Sequence, residues 1–300
     1  MRITLTGATG LVGQRLVARL RDRGDEVTVL SRDPDRASAS LGVPAQGWDP
    51  LAGRAPVGAL NGRDAVVHLA GENVAQRWTE ASKQAIRDSR VFGTRHLVES
   101  LRDADPRPGV LISGSATGYY GPRSDERLDE SAPAGEGFLS QVCVAWEAAA
   151  AAATQFGTRT VLLRTGVVLD RSAGALAKML PPFRAGLGGP VAGGRQFVPW
   201  IHLDDVVGLV VNALEDSRWQ GPVNATAPEP ATNAEFSKAL GRALHRPAVV
   251  PVPGRALRLL FGEMAEVITA GQRAVPARAV ALGHRFEYPQ LDQALVAALG

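Results

Sequence analysis

The chain has 300 residues, a formal charge of +3 and a sequence pI near 9.4. Its basic residues are spread along the sequence rather than gathered into runs, so a surface built to neutralise nucleic-acid phosphates is not expected. One cysteine, Cys143, excludes an internal disulfide, the five histidines stand apart without ligand spacing, and no apolar run approaches the ~18 residues of a membrane span; no metal, no membrane and a cytoplasmic setting are expected.

Ile3-Thr4-Leu5 reads as a first strand, followed at once by Thr6-Gly7-Ala8-Thr9-Gly10-Leu11-Val12-Gly13. Glycines at this spacing suit a strand-to-helix turn that takes the pyrophosphate of a dinucleotide. Gly7 permits the tight turn, Gly10 lets the backbone approach the phosphates, and Gly13 lets the helix pack against the strand. Thr9, Leu11 and Val12 lie on the same turn, where free N–H groups and the positive end of the helix favour an anion. A glycine-rich turn is often only a turn, so the context decides. Leu11, Leu16, Val17 and Leu20 recur at helical spacing, Gly24 ends the helix, and Val27-Thr28-Val29-Leu30 forms a second strand that completes a βαβ unit.

After the second strand, an NAD site carries a carboxylate for the ribose hydroxyls, and none stands here. Ser31 and Arg32 occupy that place, with Arg36 close by, and a hydroxyl and a guanidinium suit the 2′-phosphate of NADP. One charge-assisted bond of this kind is worth ~1.5–3 kcal/mol. The alternative is that Arg32 and Arg36 are solvated loop charges pairing with Asp33 and Asp35.

Gln46-Gly47-Trp48-Asp49-Pro50 reads as a short third strand whose loop, with Asp49, either flanks an adenine ring or is an ordinary turn. The apolar run Asp64-Ala65-Val66-Val67-His68-Leu69-Ala70-Gly71 reads as a fourth strand buried on both faces. Leu69, Ala70, Gly71 and Glu72 lie where it opens into a loop, at the carboxyl end where ligands of doubly wound sheets bind. Lys83 to Arg102 is a long helix carrying Arg90, expected on its active-site side and counted, with Leu69 to Glu72, among the cofactor-binding residues. Val110 to Ser113 begins a strand that runs into the polar, aromatic loop Gly114 to Gly121. A helix from Leu139 to Ala153 and a strand from Arg159 to Arg164 follow.

From Leu176 the regular alternation stops. Gly186 to Gly194 suits a flexible flap or a plain linker. Asp204 or Asp205 is expected to cap the helix after Gln196 to Leu203, in preference to a catalytic use with His202. Pro247 to Pro253 reads as an extended link, and no internal repeat is evident. The alternation predicts an α/β fold, a Rossmann-type doubly wound parallel sheet with a smaller C-terminal substrate lobe. The cofactor core is expected over residues 1–170 with part of 195–230 returning to it, and the lobe over 171–300.

These residues resemble the extended short-chain dehydrogenase/reductases, the NAD(P)-dependent epimerase/dehydratase group, through the glycine turn, Val67-His68-Leu69-Ala70-Gly71, Val91-Phe92-Gly93-Thr94 and Ile201-His202-Leu203-Asp204-Asp205. More narrowly, the chain is similar over its whole length to an atypical subgroup of epimerase-family oxidoreductases. That likeness lies in Ala70-Gly71-Glu72-Asn73, Ile112 to Gly121, Val142 to Glu147, Phe261 to Ala265 and Gly271 to Pro276.

The resemblance implies a Ser/Thr and a Tyr-x-x-x-Lys helix, in which the tyrosine exchanges the proton and the lysine lowers its pKa and holds the nicotinamide ribose. Ser115 matches the serine. Glu147 resembles the family's glutamate one turn after the lysine, which places Leu139 where the tyrosine belongs and Cys143 where the lysine belongs. Both groups are missing, and loss of a positioned general acid costs about 10²–10⁴ in rate. Tyr119 and Tyr120, beside Ser115, become the candidate donors, against a reading as pocket wall; Cys143, Glu136 and Glu72 are weaker candidates. Arg90 stands where the larger family usually has asparagine.

Three functions follow as expectations. The first is an NADP(H)-dependent oxidoreductase acting on a small carbonyl-type substrate, with Ser115 and one tyrosine polarising the acceptor and Pro181-Pro182-Phe183 and Trp200 lining the pocket. The second is an NADP(H)-binding redox sensor or regulatory protein without turnover. The third, a nucleotide-sugar-type epimerase or dehydratase, is disfavoured by Leu139 and Cys143. Family likeness also implies a homodimer face on the helix from Lys83 to Arg102.

Overall fold

The computed structural model describes residues 1–300. The chain runs β1 (Arg2–Thr6), α1 (Leu11–Asp22), β2 (Glu26–Ser31), α2 (Pro34–Leu41), β3 (Ala45–Gly47), β4 (Ala65–His68), α3 (Glu80–Asp103), β5 (Val110–Ala116), β6 (Arg127–Leu128), α4 (Phe138–Ala151) and β7 (Arg159–Thr165). It continues through β8 (Val167–Leu169), α5 (Gly174–Arg184), β9 (Phe197–Val198), β10 (Trp200–His202), α6 (Leu203–Glu215), β11 (Gly221–Ala225), β12 (Ala231–Thr232) and α7 (Asn233–Ala243). It ends with α8 (Gly254–Phe261), α9 (Ala265–Ala270), β13 (Arg273–Ala274), α10 (Ala277–Ala281) and α11 (Leu291–Leu299).

Seven strands form one sheet in the order β3-β2-β1-β4-β5-β7-β11, every pair parallel. The order reverses at β1, where Ile3 pairs with Val27 of β2 on one side and Ala65 of β4 on the other. Crossovers leave this point in opposite directions, which opens a crevice outside the carboxyl ends of β1 and β4.

Alternation along the strands divides the core between two faces. Val67, Ile112 and Leu163 pack with Leu16 and Leu20 of α1 and with Val206 and Val210 of α6. Val66, Leu111 and Leu162 point the other way, among Leu97 and Leu101 of α3 and Ala150 of α4. Because helices cover both faces, the strands are buried on both sides, and polar residues on them such as Thr4 and Thr28 are buried as well. A third core joins Leu169, Leu176, Leu180, Phe183, Trp200, Phe236, Leu240 and Leu295, between β8, α5, β10, α7 and α11. The C-terminal segment also returns to the large sheet, since Ala279 of α10 is buried in the first core. No helix is long and apolar enough to cross a membrane.

Three local expectations need correction. β5 extends to Ala116 and is followed by a 3-10 turn at Thr117–Tyr120, so Gly114 and Ser115 belong to the strand. Gly186 to Gly194 is neither a free flap nor a plain linker, because it is stitched to the extended segment after α7. Val250 and Val252 donate backbone N–H groups to Gly188 O and Pro190 O, and a Cβ on Gly189 would lie 2.1 Å from Val250 O. The cap of α6 is His202, whose Nδ1 accepts from the Asp204 N–H at 3.2 Å. Asp204 instead meets Arg15 Nε at 2.5 Å. Asp205 is buried and accepts the backbone N–H groups of Glu287 and Tyr288 at 2.7 and 3.1 Å.

Asp205 therefore ties the C-terminal segment to the start of α6. Asp205→Ala leaves two N–H donors without their acceptor and is expected to lower unfolding stability by about 1–3 kcal/mol. Urea denaturation measures this, and an unchanged midpoint would show that the tie carries no stability.

Candidate functional site

The crevice is built by the turn between β1 and α1. Gly7 has φ +69°, and a Cβ on it would lie 2.5 Å from the carbonyl carbon of Leu69, so only glycine satisfies both the turn and the approach to the next loop. A Cβ on Gly13 would meet Gly7 O at 2.3 Å, which makes this glycine a packing requirement of α1. Around Gly10 the nearest atom is Gly7 O at 3.3 Å, so backbone is accessible there. No side chain caps α1 and its first turn holds no acidic residue, so its positive end is left to an external anion.

The crevice has a volume of about 280 Å³ and is lined by Thr6 to Gly10, Val29 to Arg32, Trp48, Pro50 and Leu69 to Gly71. Among the residues expected from sequence, Gly7, Thr9, Gly10, Ser31, Arg32, Leu69, Ala70 and Gly71 meet here, while Leu11, Val12 and Gly13 open the helix behind. Asp49 does not: it is exposed, and its carboxylate accepts the Leu51 N–H at 3.0 Å. Its neighbours Trp48 and Pro50 supply that wall. Arg32 and Arg36 form no ion pair, since Asp33 is engaged as the cap of α2, accepting the Arg36 N–H at 3.1 Å. A larger open groove of about 660 Å³ lies along α7, between Lys238 and Val249, but none of its lining comes from the carboxyl ends of the sheet.

One residue of the site went unrecognised in sequence. His68, fully buried at the end of β4, sits 2.7 Å from Thr6 Oγ1 and 3.1 Å from Thr94 Oγ1. Thr6 Oγ1 also accepts the Ala70 N–H at 3.3 Å, so this chain of side chains holds the loop against the glycine turn. Burial pushes the imidazole down to about 4, which keeps it neutral.

Beyond β4 the side chains form a closed polar network. Ser115 Oγ donates to Glu147 Oε1 at 2.6 Å, and Arg164 grips the same carboxylate through Nε at 2.8 Å and Nη2 at 2.9 Å. Arg164 Nη1 donates to the Tyr120 hydroxyl at 3.0 Å, and that hydroxyl lies 2.7 Å from Asn224 Oδ1 and 3.0 Å from Asp129 O. These bonds bear on two of the catalytic candidates. The single hydroxyl hydrogen of Ser115 is committed to Glu147 and is not free for a carbonyl oxygen. Tyr120 is fully buried, its hydroxyl is engaged, and burial pushes its pKa up to about 12.

Tyr119 differs. It is half-buried, its ring centroid lies 3.5 Å from the guanidinium carbon of Arg164, and its hydroxyl has no hydrogen-bond partner within the chain. Leu139 packs against the 3-10 turn, where a Cβ on Gly118 would lie 3.2 Å from its own Cβ. Cys143 is buried, and burial pushes the thiol up to about 11, so it stays protonated. Glu136 is exposed, and Glu72 is half-buried with its backbone N–H on Ser89 Oγ at 3.0 Å. Arg90 lies against Gly71, where a Cβ would be 3.2 Å from its guanidinium carbon. Phe183 and Trp200 do not line the crevice; both are buried in the lobe core, and Trp200 Nε1 donates to Glu229 O at 3.1 Å.

A sequence model of the NAD dependent epimerase/dehydratase family matches residues 3–225. The chain belongs to that family. Residues 252–298 match a domain of unknown function, DUF1731. An epimerase family protein of Mycobacterium bovis is 42% identical over 295 residues, covering 98% of this chain and 96% of its own. The mouse epimerase family protein SDR39U1 is 40% identical over 302 residues, covering 98% of each chain. The crystal structure of human epimerase family protein SDR39U1 with NADPH superposes with a TM-score of 0.89 at 36% identity and full coverage of both chains. A UDP-glucuronic acid 4-epimerase from Bacillus cereus, at 18% identity and TM-score 0.79 over 99% of this chain and 98% of its own, shares the fold. This epimerase/dehydratase family member thus keeps the nucleotide crevice while the positions expected for its acid and its lysine carry Leu139 and Cys143.

The neutral histidines imply a pH window. His68 and His284 are both lowered by burial from 6.5 to about 4, so between those values the unfolded chain binds protons that the folded one refuses. Stability is therefore fully present above pH 6.5 and falls as pH drops toward 4. His68→Gln is expected to flatten this slope by on the order of 2 kcal/mol, followed by thermal unfolding across the window. An identical slope in wild type and variant would count against the buried neutral imidazole.

Proposed function

We propose that this chain is an NADP(H)-dependent oxidoreductase acting on a small carbonyl-type substrate. The observation that carries the reading is a crevice that joins an uncapped helix start at Gly10 to an arginine, Arg32, with no counter-ion beside it. The residues present fit the cofactor: the start of α1 would hold the pyrophosphate, Ser31 and Arg32 the 2′-phosphate, and Trp48 and Pro50 would flank the adenine side. The human relative crystallised with NADPH supports the choice. The nicotinamide, when bound, supplies or accepts the hydride.

This chain's own residues then bind, orient and move the proton. Thr6, His68 and Thr94 hold the loop Leu69 to Gly71 in place. Ser115 positions Glu147 rather than touching substrate, and Tyr119 is the phenol whose hydroxyl is unengaged, so the proton donated to a substrate oxygen is assigned to Tyr119 Oη. The third core is read as the substrate lobe, and exposed Phe92 on α3 suits a homodimer face.

One observation favours a second reading, an NADP(H)-binding sensor without turnover: the expected tyrosine and lysine positions hold Leu139 and Cys143, and Ser115 is committed to a carboxylate. Epimerase or dehydratase action is compatible with the family, but the one carboxylate of α4, Glu147, is held by Arg164 and Ser115.

NADPH oxidation across a panel of carbonyl compounds separates these readings, and binding without oxidation would favour the sensor. Tyr119→Phe is expected to lower kcat by ~10²-fold or more, with NADPH affinity retained; full activity would remove Tyr119 from the mechanism. Arg32→Asp is expected to weaken NADP relative to NAD by ~10- to 100-fold by calorimetry, and an unchanged ratio would show that Arg32 does not read the 2′-phosphate.

A further inference from the structure

The guanidinium groups of Arg164 and Arg90 are both withdrawn from solvent, and they are treated differently. Arg164 is gripped by the Glu147 carboxylate. Arg90 has no carboxylate within ion-pair distance; its Nη1 donates to the backbone oxygens of Glu72 at 3.0 Å and Ile86 at 3.2 Å. Those two bonds fix the plane of the group. They leave Nε and Nη2 without acceptors in the chain, and neither nitrogen is among the sealed, unpartnered atoms of the interior. The guanidinium carbon lies 5.1 Å from the Trp146 ring and against Gly71, and the nearby Cys143 is a neutral thiol. Burial lowers the pKa of Arg90, and the more distant charge of Glu72 only partly opposes this. A fixed, desolvated fork with two open edges is suited to an anionic oxygen pair.

Position decides which anion. Arg32 follows β2 and the uncapped helix start follows β1, so the anion sites of the nucleotide lie on that side of the reversal point. Arg90 lies on the other side, against the loop after β4 and next to Trp146, which packs on Gly114 of β5. We propose that Arg90 binds a carboxylate of the substrate, so that the substrate class is an oxo acid or its hydroxy acid, held at the reactive end of the crevice. This rests on the NADP(H) reading above and deepens it. The same fork chemistry could be met by a phosphate of the cofactor, and the test separates the two sources.

Calorimetry is run first with wild-type protein and NADPH; absence of binding would overturn the cofactor reading itself and this inference with it. The NADPH-saturated protein is then titrated with phenylpyruvate and with phenylacetone, which share a ketone and a ring but differ in the carboxylate. Wild type is expected to favour phenylpyruvate by about tenfold or more, and Arg90→Met to bring the two within about threefold while NADPH affinity changes by less than about threefold. Arg90→Lys, which keeps the charge and loses the fork, is expected to fall between them and carries the same test if the methionine variant does not fold. A wild type with no preference for the acid, or variants that lose NADPH binding tenfold with the preference intact, would overturn the assignment.

Discussion

The approach of the β1–α1 turn to the loop after β4 is the constraint on which the site depends. At Gly7 the separation leaves no room for a methyl group, since its Cβ would lie 2.5 Å from a backbone carbon of the neighbouring loop. That loop cannot simply retreat, because the Ala70 N–H is bonded to Thr6 and Thr6 in turn to buried His68. The reversal of strand order opens the crevice, and this contact sets its width. The exposed backbone at Gly10, the start of α1 and the loop Leu69 to Gly71 all face one space as a result.

A second constraint is electrostatic. Glu147 and Arg164 are nearly inaccessible, so each must have the other; removing one partner would strand a buried charge, at a cost of about 3–5 kcal/mol. The pair joins α4 to β7, and Tyr120 and Asn224 extend it to β11. Glu130 continues the chain by accepting the backbone N–H groups of Asn224 and Arg278, which ties the C-terminal segment to the same network. Side chains that sequence alone suggested for proton transfer, Ser115 and Tyr120, are thus part of what holds the sheet and the C-terminal segment together. Tyr119 keeps a hydroxyl outside that network, and Arg90 donates only to backbone oxygens.

The glycine turn, the apolar runs of β1, β4 and β7 and the long α3 were legible because each depends on neighbours in the chain: a positive φ, a doubly covered strand or a helical period leaves a local mark. Arg32 and Ser31 were legible for the same reason, being placed by the end of β2. Asp49 was misplaced by one residue, since alternation decides which of Trp48, Asp49 and Pro50 faces the crevice and an Asx turn to Leu51 draws the carboxylate away. His202 took the cap expected of an aspartate because α6 starts at Leu203.

Sequence by itself determined the class of fold, the turn that receives a nucleotide and the absence of tyrosine and lysine from the expected positions on α4. Only the tertiary structure decided which polar groups are free. Ser115 and Glu147 are 32 residues apart, and Tyr120 and Asn224 are 104 apart. A hydrogen-bond donor is available for chemistry only when no distant acceptor has claimed it, and that claim is made by packing, which leaves no periodicity or spacing to read.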